Sequence, residues 1–461
     1  MLRPPLQYQS LKAVLPHMDA NTRFRISLSM PSIRSVENML PLRINYLNFN
    51  SCYTTINDTS YILGTFLHYT DGITPRKMQT ENSFGGVRHD FDEFGFPRTN
   101  NTVLLPGDIS FQPENWNEGR NDTEGWERLI RGSLIVYEKA LERLVELESK
   151  GMSVKEYLNG LKPVPRDQLS VEESRVRDTL KYFSDHLPYF IECKKLELVP
   201  FECRRNNTRP PFRCYIQLTI RKGTNKQIHR FEYNKKRFEA TKYLHQVIFG
   251  SRSAPIRVGD FDLSSMSAYG GPCRLPVGFQ LQANKTRVAG DMLAHKNFPL
   301  LVANWDDLDC LWIYYFLAPN AFQHPAVRAS KRIVIAGVLQ RDLERLIQVL
   351  RDLSNLEVSM LTTEKKFSPE NHFQMIQAWL SRDRQVGASF WLRMRSDKKA
   401  REVLRLVRIR NERTGRSKRC VTIRRNDSTK VEVFYVPFKG PRKNGYDQFC
   451  KWILKIRIVK V

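Results

Sequence analysis

The stretch PLQYQSLKAVLPHM, residues 5–18, followed by PLRINYLNF at 41–49, sets the character of this chain: helix first, then sheet. In residues 5–18 the apolar groups Leu11, Val14, Leu15 and Met18 recur at i, i+3, i+4 and i+7, which places them on one stripe of a short helix. Residues 21–30 read as a second helix, and 41–49 as a strand. A helix this short cannot bury its stripe alone, so the stripe needs either a core or a partner. Two readings follow. In one, Pro5, Leu6, Leu11, Val14, Leu15 and Met18 form a docking face; in the other, the stripe packs inward on Leu42, Ile44 and Leu47.

Working outward, the 461 residues suffice for several domains with a sizeable core, and hydrophobic and charged shares of 41% and 26% are those of a folded globular protein. The net charge of +26 is far from balance and favours acidic partners, nucleic acid or anionic surfaces. Residues 1–9 contain two prolines and no apolar core, so no secretory leader is expected, and the longest apolar run, 310–318, is half the length of a membrane span. The 8 cysteines form no Cys-x2-Cys pair and read as reduced, mostly buried thiols of a cytoplasmic or nuclear protein.

The pattern along the chain predicts an α+β fold in four parts. Residues 1–50 hold the opening helices and lead into the first strand. Residues 51–121 hold a strand over 55–69 and then a Gly-, Pro- and Asn-rich irregular region. Residues 122–190 form a helical connector, with a strong helix over 124–150 capped by Thr123 and further helices from Ser153 and over 171–186. Residues 191–461 alternate strands with helices. Strands are expected at 196–199, 214–220, 256–263, 278–281, 332–335, 356–361, 388–394, 421–423, 431–435 and 452–459. Helices are expected at 238–249, 339–353, from Pro369 with Phe373, Ile376, Trp379 and Leu380 buried, and at 397–407. Strands separated by helices at such intervals match a leucine-rich-repeat-like stack, one strand per unit, and equally a plain mixed α/β domain.

Pro5-Leu6-x4-Leu11-x2-Val14-Leu15, Asn21-x-Arg23-Phe24-x-Ile26-Ser27 and Pro31-Ser32-Ile33-Arg34-Ser35-x-Glu37 together resemble the opening of nematode F-box-associated proteins of the F-box C type. Residues 322–330, Ile333 to Ile335, Phe373 to Leu380, Val386 to Phe390 and Lys451 to Lys455 look like the C-terminal part of the same family. The resemblance implies an N-terminal element that seats Pro5, Leu6, Leu11, Val14, Leu15 and Met18 on a Skp-type adaptor. That adaptor would tether the chain to a cullin ubiquitin ligase while the C-terminal domain selects a target.

A second candidate surface is basic. From Ser381 to Val461 there are about two dozen Lys and Arg against seven Asp and Glu. Lys398, Lys399, Arg401, Arg405 and Arg408 fall on the solvent side of a helix whose other side is Ala400, Val403, Leu404 and Val407. Arg416, Lys418, Arg419, Arg424 and Arg425 follow in a hairpin. Such a face could track phosphates, releasing counterions, or meet an acidic protein partner; a merely solvated face fits as well. His89-Asp90-Phe91-Asp92-Glu93 has a metal-like composition but reads as a turn, since adjacent side chains of an extended loop diverge. No phosphate loop, nucleophile elbow or zinc-hydrolase spacing occurs, so no catalytic residue, metal or cofactor is expected. A non-enzymatic interaction protein is the leading expectation. A nucleic-acid binder and a diverged family member without adaptor binding are its rivals.

Overall fold

Three helices, Tyr8–Val14, Ala20–Ser29 and Pro31–Met39, precede the strand Leu42–Phe49 in the computed structural model. The structure describes residues 8–461 apart from 51, 71, 99–101, 113–121, 161–169, 267–270, 294, 315–318, 362–366, 412–416, 418 and 439–449. The Asp19 side chain accepts from Asn21 N and starts the second helix; Pro31 occupies the first turn of the third. Contacts divide the chain into two units, one of Met1–Ser60, Leu104–Glu114 and Leu244–Val461, the other of Tyr61–Val103 and Asn115–Tyr243.

The first unit is organised around a mixed sheet. Leu42–Phe49 pairs in parallel with Ile256–Asp262. Leu281–Ala289, Cys310–Tyr314, Arg332–Ala336, Glu357–Leu361 and Ser389–Met394 then follow, each parallel to its predecessor and beside it. This is the one-strand-per-unit order that the spacing anticipates, within an α+β fold. Trp452–Lys460, Thr429–Pro437 and Cys420–Arg424 close the far side as antiparallel strands, and Tyr53–Ile56 runs antiparallel to Leu42–Phe49 at the other.

One register row explains why the sheet is stable. Phe261, Thr286, Leu311, Ile333, Val358, Phe390, Ile456 and Val433 stand side by side across eight strands, and every one is fully buried. Parallel strands need both faces covered, and helices supply one cover. Leu343–Asp352, Pro369–Leu380 and Asp397–Arg410 turn Leu346, Val349, Leu350, Phe373, Ile376, Trp379, Val403, Leu404 and Val407 inward, in the 3.6 period read from sequence. Ser368 and Asn371 form a reciprocal cap at the second of these. Trp379 stacks on Phe390 at 5.8 Å between centroids.

Buried arginines tie helix ends together. Arg384 donates to the carbonyls of Trp379, Leu353 and Leu350, satisfying the C-terminal turns of two helices, and burial pushes its pKa down to about 10. Arg23 donates to Pro41 O at 2.7 Å and to Glu37 O at 3.2 Å at the end of Pro31–Met39. Its guanidinium also meets the Glu37 carboxylate at 2.9 Å, and Arg252 binds both oxygens of that carboxylate at 2.8 and 2.7 Å. All three side chains are almost completely buried. Phe49 adds an aromatic hub, with Phe249, Phe261, Phe279 and His245 within 6.0 Å of its centroid.

The second unit contains the helices Glu124–Ser149, Val154–Gly160, Val171–Phe183 and Leu187–Asn206, and the hairpin Phe212–Lys222 with Asn225–Glu232. Val136, Ala140, Val176, Leu180 and Leu187 form one core cluster, and Phe96, Ile130, Leu198 and Phe201 another. Gly85 and Gly86 both have positive φ, and a Cβ on Gly86 would lie 2.8 Å from Thr65 O. Only glycine allows that approach.

Several expectations are corrected. Residues 196–199 are not a strand but lie inside the helix Leu187–Asn206; Leu196 and Leu198 mimic alternation, whereas the buried set Leu187, Ile191, Leu198 and Phe201 has helical spacing. The helical segment therefore runs beyond residue 190. Residues 55–69 are two strands, broken by the left-handed Asn57 between Tyr53–Ile56 and Thr59–Tyr69. The irregular region contains the helix Arg76–Phe84, which has no buried residue and hence no periodic signal. The strand expected at 278–281 begins only at Leu281 and continues to Ala289. Cys310–Tyr314 is a strand buried on both faces, which its unbroken apolar run left unassigned.

Replacing Glu37 by Ala leaves two buried guanidinium groups facing each other without their shared carboxylate. The expected cost is about 3–5 kcal/mol, read as a lowered midpoint in urea denaturation of the full chain. His372 supplies a pH test. Burial lowers its pKa from 6.5 to about 4, so the unfolded state takes up the proton first. Stability present above pH 6.5 is then lost between pH 6.5 and 4, at about 1.4 kcal/mol per pH unit. His372→Gln should flatten the fall in melting temperature across that window.

Candidate functional site

The N-terminal stripe is split by the fold. Leu11 and Leu15 are buried with Ile33 and Val36 in a small core, flanked by the partly buried Met18, Ile26 and Leu40. Their packing partner is thus the third helix rather than Leu42, Ile44 and Leu47 of the strand. Val14 points outward, 39% exposed, and Leu28 and Met39 on the neighbouring helices and Met30 between them are more exposed still. Pro5 and Leu6 lie outside the described residues.

The basic helix forms where its sequence indicates, but two of the five cations expected on its solvent side are half-buried. Asp397–Arg410 buries Ala400, Val403, Leu404 and Val407 and exposes Lys398, Arg401 and Arg405. Lys399 and Arg408 are half-buried; burial lowers the Lys399 pKa, and Arg408 donates to Ser417 O. Arg401 pairs with Asp397 at 2.9 Å one helical turn away, and Arg410 with Glu370 at 2.6 Å. In the hairpin Arg424 pairs with Asp427 and Arg425 with Asp383, while Arg416 and Lys418 fall outside the described residues.

A third arrangement, with Cys310, Asp262, Arg287, Trp312, Val334 and Ser359 buried in it, emerges only from the strand register. Opposite the apolar row, Asp260, Lys285, Cys310, Arg332, Glu357, Ser389, Arg457 and Glu432 stand in one line. Asp262, Arg287, Trp312, Val334, Ser359, Trp391, Lys455 and Phe434 stand in the next. Cations lie over the rings: Lys285 at 4.4 Å and Arg287 at 5.0 Å from Trp312, Lys455 at 4.0 Å from Trp391, Arg457 at 5.0 Å from Phe434. Asp260 accepts from both Lys285 and Arg287, and Glu432 pairs with Arg457. Burial raises the Glu357 pKa, against the pull of Arg332, Lys455 and Arg393. The Tyr46 hydroxyl donates to Asp262 at 3.3 Å, and burial holds its pKa above the ordinary tyrosine value. The signal for this arrangement was present as charged or aromatic residues two apart in four of the eight strands, Asp260/Asp262, Lys285/Arg287, Lys455/Arg457 and Glu432/Phe434, but it needed the pairing to become a row.

In the second unit a cavity of about 460 Å³ is walled by rings including Tyr69, Phe91, Phe96 and Phe212, with His89 at its edge. Burial lowers the His89 pKa to about 4, so its imidazole is neutral near pH 7. The neighbouring acids are engaged: Asp90 accepts from the Tyr233 hydroxyl and Arg237 N, and Asp92 from Phe94 N, Phe96 N and Arg98. Among the described residues, no group of three His, Cys, Asp or Glu is placed to hold a metal ion. Nor, among them, is any helix long and apolar enough to cross a membrane.

A family model described as a domain of unknown function (DUF3557) matches residues 236–396. The match starts at the helix Arg237–Phe249 and ends just past Ser389–Met394, so it takes in the parallel strands from Ile256–Asp262 onward. None of the curated proteins matches the chain, and no solved structure does.

Because Arg405 is exposed and Leu404 fully buried on the same helix, their substitutions should separate cleanly. Arg405→Gln is expected to leave the thermal midpoint within about 0.5 kcal/mol of wild type. Leu404→Ala should cost about 2–5 kcal/mol in the same melt.

Proposed function

We propose that this chain is a non-enzymatic interaction protein of the cytoplasm or nucleus. It docks through its N-terminal helices on a Skp-type adaptor of a cullin ubiquitin ligase and presents a target-binding surface on the parallel-strand stack. The observation that carries this reading is the construction of the N-terminal element. Three short helices share a core of their own, are anchored by Arg23, Glu37 and Arg252, and leave Val14, Leu28, Met30 and Met39 exposed. Exposed apolar groups on a rigidly held helical element suit docking into an apolar groove. The docking face is therefore the outer side around Val14, with Leu11 and Leu15 serving as its support.

Two features favour a protein target over nucleic acid. Bases stack on open rings, whereas the rings of Trp391 and Phe434 carry Lys455 and Arg457. The basic helix also has internal partners, with Arg401 on Asp397 and Arg410 on Glu370. Charges arranged in this way select partners and speed encounter more than they add affinity.

The test is affinity purification of the tagged full-length chain, probed for adaptor and cullin. Wild type should bring down both, and Val14→Asp, an exposed change, should lose them while keeping the wild-type melting temperature. A wild-type preparation free of adaptor removes the ligase role. A salt titration separates the rival: docking of the apolar face should be nearly indifferent to salt, and nucleic-acid binding should fall steeply.

A further inference from the structure

Between successive strand-entry turns of the first unit lies a cleft of about 850 Å³ whose wall includes Arg328, Arg345, Arg382, Gln348, Asp352 and Asn355. Its parts come from three consecutive units of the stack. Arg328 is on the helix Pro325–Ala329, which runs into the strand Arg332–Ala336. Arg345, Gln348 and Asp352 recur at i, i+3 and i+7 along Leu343–Asp352 and share one side of it. Arg382 follows the end of Pro369–Leu380 and donates to the Asp352 carbonyl at 2.7 Å, which holds it at the rim. All three arginines are exposed. Asp352 is the one carboxylate in the described wall against them, so the cleft is net positive.

Asn355 gives the cleft a second, independent feature. Its side chain is 97% buried, at 3% exposure, and Nδ2 donates to both Val327 O and Ser330 O at 2.6 Å. Those two bonds fix the orientation of the amide, because only the nitrogen end can donate to carbonyls. Oδ1 is thereby left as a buried acceptor with no hydrogen-bond partner among the described residues. A buried amide oxygen without a donor is costly, and it commonly marks a place completed by a ligand or water.

We propose that this cleft binds a phosphate monoester. Arg328, Arg345 and Arg382 meet the dianion, and Asn355 Oδ1 accepts a hydrogen bond from a hydroxyl or amide N–H adjoining it. Guanidinium groups suit phosphate because their planar fork matches its oxygens. A ligand carrying both an anion and a nearby donor satisfies the wall, whereas a bare carboxylate leaves the asparagine oxygen unmet. The same chemistry can come from a phosphorylated side chain in a protein or from a small phosphate ester. The inference goes beyond the adaptor reading and does not depend on it, since it concerns a different surface of the unit.

The experiment is calorimetric titration of the purified full-length chain with inorganic phosphate, glycerol phosphate and a capped phosphoserine peptide, each at fixed salt. Saturable binding is expected, with the two esters tighter than inorganic phosphate. Tighter binding of the peptide than of glycerol phosphate identifies a phosphorylated protein as the source, and the reverse order a small ester. Arg345→Gln and Arg328→Gln, at exposed positions, should each weaken binding about tenfold or more without shifting the melting temperature. Arg257→Gln, an exposed arginine outside the described cleft wall, should bind as wild type. Affinity should also fall below pH 6, where the phosphate monoester becomes a monoanion. The proposal is overturned if wild type binds none of the probes, if Arg345→Gln binds as wild type does, or if Arg257→Gln weakens binding as much as Arg345→Gln.

Discussion

The parallel pairing of Leu42–Phe49 with Ile256–Asp262 is the constraint on which the first unit turns. It brings the N-terminal helices to the start of a stack formed more than two hundred residues later. Closing so long a loop has an entropic cost that grows slowly with length, but the contacts must still exceed it. The Arg23–Glu37–Arg252 group is placed at that closure, with Glu37 and Arg252 215 residues apart in sequence. Burying three charges is expensive, and the geometry offsets it by satisfying helix-end carbonyls as well as the carboxylate. Its value is specificity as much as stability: a shifted strand register would strand an arginine in apolar surroundings. The Phe49 hub adds the non-directional burial that such a junction requires.

From that junction the sheet propagates by repetition. Each crossover lays the next strand beside the last, and the fully buried row from Phe261 to Val433 runs through all of them. The opposite face alternates charge and ring, with cations standing on tryptophans and carboxylates shared between neighbours. One side of each strand thus holds the unit together, while on the other Cys310, Trp312, Tyr314 and Val334 form a second buried cluster. The arginine cleft fits the same pattern, since it is assembled where consecutive units meet and no single unit contains it.

Much of this was readable from the chain because amphipathic helices announce themselves. Helices 124–149, 171–183, 369–380 and 397–410 carry a 3.6-residue apolar period, and Ser368 with Pro369 marks a start unambiguously. The elements that went astray lack such a period. Cys310–Tyr314 is apolar on both sides, Arg76–Phe84 buries nothing, and Leu187–Asn206 contains Pro200, whose presence argues against a helix that packing nevertheless imposes. Of the surfaces, the basic helix was legible in its buried side and in Lys398, Arg401 and Arg405, but not in the half-burial of Lys399 and Arg408. The N-terminal stripe was legible as a stripe, but the side on which its third helix would pack was not.

What the sequence alone determined was local: which segments are amphipathic, where helices begin, and which charges face outward from a helix whose core side is evident. These follow from spacing along one element, where neighbours are covalently near. What only the tertiary structure decided was the company each element keeps. It set Leu11 and Leu15 against Ile33 and Val36 while leaving Val14 outside, drew Arg23 and Arg252 to one carboxylate, and aligned Trp312, Trp391 and Phe434 across strands. Such arrangements arise from strand register and helix docking, whose energies depend on residues far apart in the chain, and no periodicity within a segment encodes them.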